Sequence, residues 1–222
     1  MQKYKIEIDK ELKCICPELV LNCLACELQV QPSSDAYQKY FESEVQNVVS
    51  DLILEKISMV PAISASRTAF KKLGKDPARY RLSAEALLRR IAHGKELYRV
   101  NNAVDVLNLI SIESGFSIGG YDITKIFGKI ICGIGEKNEL YQGIGRGNLN
   151  IDRIPVLRDS EGAFGCPVSD SERTMVTDRT KYFLLVFFNF SGDTEIIRWI
   201  KMTEGLLEKF ANACLFDYQE IT

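Results

Sequence analysis

Two polar clusters carry most of the chemistry available to this sequence. The first is NNAVDVLN, where Asn101, Asp105 and Asn108 share one face of any helix that begins there, beside Asn102. Such side chains cap a helix or hydrogen-bond a ligand's hydroxyls. The second is Asp170–Thr180 (DSERTMVTDRT), with nine polar residues among eleven, just before a strongly apolar run. It is too rich in hydrogen-bonding groups for a simple hairpin turn. Polar loops at the rim of a sheet frequently carry function.

Other signals are weaker. His93, the single histidine, precedes Gly94 and suits the C-terminal end of a helix. A Ser-His-Asp or Cys-His site would have to be built around it, and nothing nearby supports one. Gly143–Gly147 (GIGRG) has neither a strand-then-helix setting nor a following Lys-Ser/Thr, so it reads as a hairpin turn rather than a phosphate loop. Seven cysteines at irregular spacing make a poor disulfide framework. Cys23 and Cys26 flank Leu-Ala, residues that suit a strand, and a strand would point the two thiols to opposite faces. Buried thiols, with no metal and no cofactor, are the expectation.

Charge is unevenly distributed. The whole chain carries −2, yet Arg67–Arg99 holds ten Lys or Arg against three acids, a net +7. The remainder therefore carries −9. Arg67, Lys71, Lys72, Lys75, Arg79, Arg81, Arg89 and Arg90 are candidate phosphate contacts, with Phe70, Tyr80 and Tyr98 interleaved and able to stack on unpaired bases. Basic runs often only coat a solvated helix face. The acidic remainder disfavours binding along a long nucleic acid and leaves room for one focused contact, such as a tRNA acceptor end.

These residues need elements to position them. Tyr4–Ile8 and Leu19–Val30 read as strands, and the Gln31–Asp35 cluster opens a helix over about 36–56, where Tyr37, Tyr40, Phe41, Val45 and Val48 recur at three- and four-residue steps. Further helices are expected over 63–73, 84–92 (capped by Ser83) and 102–114 (capped by Asn101 or Asn102, with Gly115 after its last turn). Beyond residue 116 short β-rich runs alternate with turns: 129–135, 140–144, 154–157 and 182–190. An amphipathic helix over about 194–214 closes the chain. Helices gathered early and late around a strand-rich middle indicate an α+β domain with mostly antiparallel sheets.

Apolar residues make up 46% and charged residues 26%, an ordinary globular mix. The longest apolar run falls far short of the roughly 20 residues of a spanning helix. The N-terminus lacks the apolar core of a signal peptide, so a cytoplasmic location is expected.

At three blocks a family becomes recognisable: AFKKLGKDPARYRLSAEALLRRI (Ala69–Ile91), VNNAVDVLNLISIESGFSIGGYD (Val100–Asp122) and SERTMVTDRTK (Ser171–Lys181). Together they resemble the B3/B4 domain, the tRNA-editing domain of the phenylalanyl-tRNA synthetase beta subunit, here as a stand-alone chain. The likeness runs from about residue 60 to the C-terminus. Residues 1–60 are a less characteristic part of the same domain, taken as a single unit over 1–222. The resemblance implies a β-sandwich-like sheet core covered by helices. It implies a pocket lined by the NNAVDVLN helix, the SIGGYD turn and the SERT loop. Glu172 falls where the synthetase has a glutamate that reads the amino acid's distal hydroxyl. Glu172, Asn102 and Thr174 are then the catalytic candidates. Asn101, Asp105, Asn108, Gly119, Gly120, Tyr121, Asp122 and Arg173 are the substrate contacts. One departure stands out: synthetases usually carry a histidine where this chain has Gly119. The expected partner is tRNA or aminoacyl-tRNA, and the expected activity is hydrolysis of a mischarged ester in trans. A non-catalytic RNA-binding module, or a pocket for a free amino acid enlarged by Gly119-Gly120, are the alternatives.

Overall fold

The computed structural model describes residues 4–222. In chain order the elements are β1 (Ile6–Ile8), α1 (Lys10–Ile15), β2 (Val20–Glu27), α2 (Asp35–Asp51), α3 (Pro61–Lys72), α4 (Ser83–Ala92), α5 (Asn102–Ser114), β3 (Ser117–Asp122), β4 (Ile130–Ile134), β5 (Gln142–Gly143), β6 (Gly147–Asn148), β7 (Pro155–Asp159), β8 (Gly162–Gly165), β9 (Tyr182–Asn189), α6 (Ile196–Ala211) and β10 (Cys214–Ile221). Three 3-10 turns, at Leu54–Met59, Ile123–Lys125 and Glu172–Thr174, join them.

Two four-stranded sheets form, ordered β1-β4-β7-β8 and β10-β2-β9-β3. All pairings are antiparallel except β1 with β4. Strand alternation builds two cores at once. Leu21, Cys23 and Ala25 of β2, with Leu184, Val186 and Phe188 of β9, join Ile130 and Cys132 of β4 and Leu157 of β7 in a core between the sheets. Leu24 and Cys26, with Phe183, Leu185 and Phe187, face the other way, into a core shared with α2, α4, α5 and α6. A β-sandwich backed by helices results, the architecture expected. The period-2 alternation also sends Cys23 and Cys26 to opposite cores, as a strand requires.

Local signals worked as expected in several places. Ser34 caps α2 by accepting from the Tyr37 N–H at 3.2 Å. Asn101 caps α5 by accepting from the Val104 N–H, and Gly115 ends it at φ 77°. His93 sits at the C-terminal end of α4, with Gly94 at φ 69°. Residues 142–148 form a small hairpin around the glycines.

Four expectations need correction. Ser83 does not cap α4: it is the first helical residue, and its N–H donates to Pro167 O at 2.9 Å. SIGGYD is no turn but the edge strand β3, paired residue by residue with β9 from Ser117–Phe188 to Asp122–Phe183. Its glycines hid the strand, because β-propensity tables penalise glycine while β9 supplies the partner. The closing helix stops at Ala211, where Asn212 adopts φ 50°, and the chain returns as β10 along β2. The 140–144 run shrinks to a two-residue strand.

Candidate functional site

The two polar clusters have different surroundings. At the start of α5, Asn102 is buried and fully engaged. Its Oδ1 accepts from the Gln31 and Ala103 N–H groups, and its Nδ2 donates to Gln29 O at 2.9 Å and Phe210 O at 3.0 Å. Asp105 accepts from the Val100 N–H at 2.9 Å and the Ser33 hydroxyl at 2.6 Å. Asn101 is occupied as the cap. These side chains pin the β2–α2 connection and the end of α6 to one helix terminus. Asn108, part-buried, makes no hydrogen bond through its side chain among the described residues.

On β3, Asp122 is buried. Its Oδ1 accepts from the Thr124 N–H and hydroxyl, and its Oδ2 accepts from the Thr180 hydroxyl at 2.8 Å. Thr180 thereby fixes the end of the polar loop to the sheet. The glycines of β3 do not enlarge a cavity. A Cβ at Gly119 would lie 1.8 Å from Tyr121 Oη, and one at Gly165 would lie 2.2 Å from the same atom. A Cβ at Gly120 would meet Leu107 Cδ2 at 2.6 Å. The missing side chains make room for the Tyr121 hydroxyl and for α5, so the volume is filled by protein.

The Tyr121 hydroxyl has no hydrogen-bond partner of good geometry, although Asp170 stands beside it. Asp170 Oδ2 accepts from the Gly120 N–H at 3.1 Å. As a residue Asp170 is only part-buried, but its carboxylate points inward, and burial pushes it up to about 7 against the relief of the Gly120 N–H and Tyr121. Sequence reading placed Asp170 at the head of the polar loop without seeing this contact. The clue was a carboxylate next to a glycine-bearing strand, which only the fold brings together.

The 3-10 turn Glu172–Thr174 follows. Glu172 is exposed, and its carboxylate has no partner among the described residues. Thr174 is fully buried with its hydroxyl unpaired. Arg173, by contrast, is committed to the fold: it clamps Asp159 through two nitrogens at 2.8 and 3.2 Å and donates to Lys125 O and Gly162 O.

No direct hydrogen bond joins the α5 cluster to the loop cluster, but a cleft of about 430 Å³ lies between the segments each one holds. One wall is Glu27–Val30, where Gln29 is fixed by Asn102. The other is Asp178–Tyr182, where Thr180 is fixed by Asp122. The Leu28 N–H donates to Lys181 O at 2.9 Å, tying the walls together. Leu28, Val30 and Thr180 form a buried floor, and Gln29, Asp178, Arg179 and Lys181 an exposed polar rim. The size suits a small-molecule group, and the rim offers both donors and carboxylates. Sequence reading included the polar loop but missed the β2 wall, which nothing in its own apolar run distinguishes.

The basic stretch divides. Arg67 and Arg89 both pair with the buried Glu85, each at 2.9 Å, and Lys75 pairs with Asp152 at 3.0 Å. Arg90 lies over the Tyr98 ring. Lys71, Lys72, Arg79 and Arg81 are exposed without an ion pair among the described residues. Half of the candidate phosphate contacts thus serve internal contacts, and half face solvent. No group of metal-binding residues is found among the described residues, and no helix there is long and apolar enough to cross a membrane.

Fold and site together define a helix-backed β-sandwich with a polar cleft at the rim of one sheet. Residues 65–201 match the model of the B3/4 domain family, and the chain belongs to that family. Among solved structures it is similar to an N-terminal fragment of the phenylalanyl-tRNA synthetase beta-subunit from Pyrococcus horikoshii. The identity is 17% and the TM-score 0.47, over 100% of this chain and 53% of that one. This chain therefore spans about half the length of that fragment. No curated protein matches.

Proposed function

We propose that this chain is a tRNA-directed editing module that hydrolyses mischarged aminoacyl-tRNA in trans. The observation that carries the reading is the turn Glu172–Thr174, which pairs an unengaged carboxylate with an orphaned buried hydroxyl in the polar loop that runs on into the Asp178–Tyr182 wall of the cleft. Buried polar atoms without a protein partner commonly hold water, and this reaction needs a held water. The ester of an amino acid and a ribose is already activated. Water adds to its carbonyl carbon, the bond to the ribose oxygen breaks, and that oxygen takes up a proton as the amino acid leaves. Positioning the water and placing donors near the developing oxyanion supply the acceleration. Membership of the B3/4 family supports the substrate class, and the exposed Lys71, Lys72, Arg79 and Arg81 support a polyanionic partner.

The residue roles divide accordingly. Glu172 acts at the ester, and the fully buried Thr174 acts behind it by holding the water. Asn102 and Asp122 act by fixing the cleft walls, and Asn101 and Asp105 by holding the start of α5. Gly119, Gly120, Tyr121 and Arg173 set the packing behind them, and Asn108 remains a candidate contact. The test is a panel of mischarged tRNAs incubated with the protein while ester loss is followed. Hydrolysis of at least one ester above the buffer rate, abolished by Glu172→Ala together with Thr174→Val, is the expected result. No acceleration on any member, with a synthetase editing domain active in parallel, would overturn the proposal.

A further inference from the structure

Tyr98 has an unusual combination of exposure and order. Its residue is 66% exposed, among the most exposed aromatic or aliphatic side chains of the protein. Yet it is held by the chain before it and by one neighbouring side chain. Leu97 before it is buried. The Arg90 guanidinium lies 3.9 Å from the ring centroid, and Arg90 Nη1 donates to the Tyr98 hydroxyl at 3.0 Å. Arg90 is itself fixed, because its Nε donates to Glu96 O. One face of the ring is therefore covered by a cation while much of the ring remains open to solvent.

Packing alone does not account for this arrangement, since an exposed ring buries little apolar area. Its surroundings are cationic. Arg90 has no acidic partner among the described residues, Lys95 is exposed and unpaired there, and Arg99 lies over the Phe41 ring with its one carboxylate contact, at 3.6 Å, to the exposed Glu42. Glu96 is the one nearby carboxylate on this segment. A planar, pre-ordered ring amid unpaired cations is complementary to an unpaired base with its phosphates, and base–aromatic stacking is tolerant of sequence. The location fits too. Asn102, which fixes the Gln29 wall of the cleft, is four residues further on, at most ~14 Å along an extended chain.

We propose that Tyr98, held by Arg90, is a stacking platform for an unpaired base of the single-stranded 3′ end of the tRNA. This rests on the RNA-directed reading above and deepens it by naming which part of the RNA is gripped and by which residue. Stacking at one such site is worth about tenfold in affinity.

The experiment compares two hairpin RNAs that mimic an acceptor stem, one blunt and one ending in a 3′ ACCA overhang with 2-aminopurine as its last base. Binding to the full chain is followed by anisotropy, and stacking by quenching of the 2-aminopurine. The wild type binds the overhang hairpin about tenfold more tightly than the blunt one and quenches the probe. Tyr98→Ala lowers overhang binding to the blunt level and abolishes quenching, whereas Tyr98→Phe keeps both. A circular dichroism melt verifies folding, and Tyr98→Leu serves as a second non-aromatic variant. The proposal is overturned if Tyr98→Ala and Tyr98→Leu keep the overhang preference and the quenching. It is equally overturned if they weaken both hairpins alike, or if the wild type shows no overhang preference. A Tyr98-dependent preference without any ester hydrolysis would leave the platform standing and remove the editing reading instead.

Discussion

Placing a side chain at Gly119 tests the geometry at the centre of β3. The perturbation is Gly119→Ala, the smallest side chain that can be placed there. The new methyl would sit 1.8 Å from Tyr121 Oη and 2.9 Å from Asp170 Oδ1, where real contacts stay beyond 3.0 Å. The hydroxyl therefore has to move by more than 1 Å. It cannot retreat, because Gly165 closes on the same atom from another side and the ring is fully buried, edge-on to Phe164 at 5.1 Å and 86°. Overpacking of this kind typically costs about 1–3 kcal/mol, and a hydroxyl pinned between two backbones puts the expected loss at about 3 kcal/mol or more. The assay is urea unfolding at fixed pH, read as a shift in midpoint at constant slope. Tyr121→Phe removes the nearest clashing atom but leaves ring Cζ 2.4 Å from the new methyl, so a double-mutant cycle should return a coupling of about 1 kcal/mol or more, with Gly119→Ala less harmful but still costly in the Phe background. A cost under about 0.5 kcal/mol, or zero coupling, would refute the claim that Gly119 exists to admit the Tyr121 hydroxyl. On this reasoning a larger side chain, as in Gly119→His, would cost still more. It would unseat Tyr121.

Other consequences are equally direct. Burial pushes the Asp170 carboxyl up to about 7 from the 3.8 of a free one, so the folded state holds its proton longer than the unfolded chain does. Its contribution to stability is full below pH 4 and is lost as pH rises from about 4 to 7, with a ceiling of about 4 kcal/mol. Residual solvent contact brings the expected loss to about 2 kcal/mol, and Asp170→Asn should be more stable than wild type at pH 8 by thermal melt but not at pH 4. Glu85→Ala strands the guanidiniums of Arg67 and Arg89 and should cost about 3 kcal/mol in urea unfolding. Asn102→Ala leaves Gln31 N, Gln29 O and Phe210 O unpaired, for a loss of about 2–3 kcal/mol and faster amide exchange at residues 29–31. Reversing Lys71, Lys72, Arg79 and Arg81 together should reduce the salt slope of tRNA binding by about 3–4 without changing the melting temperature.

Much of the molecule was written in local pattern. The apolar alternation of β2 and β9 set which residues face each core, and Ser34, Asn101 and Gly115 marked helix ends by their own hydrogen bonding and φ, independent of distant residues. The three blocks of family resemblance lie wholly or largely within the 65–201 match. Tertiary structure decided what each polar residue does. The sequence showed Asn102, Asp105 and Asp122 as a polar surplus, but only folding brought Gln29, Ser33 and Thr180 to them from 58 to 73 residues away. Local spacing cannot encode such partners, because a hydrogen bond depends on where two segments end up, not on how either is spelled. The same holds for the glycines of β3, which read as a flexible turn and are instead the space into which a buried tyrosine hydroxyl and a helix fit. Charge was legible as a total and not as an assignment: the excess over 67–99 was plain, while Glu85 and Asp152 settled which cations stay inside and which face outward.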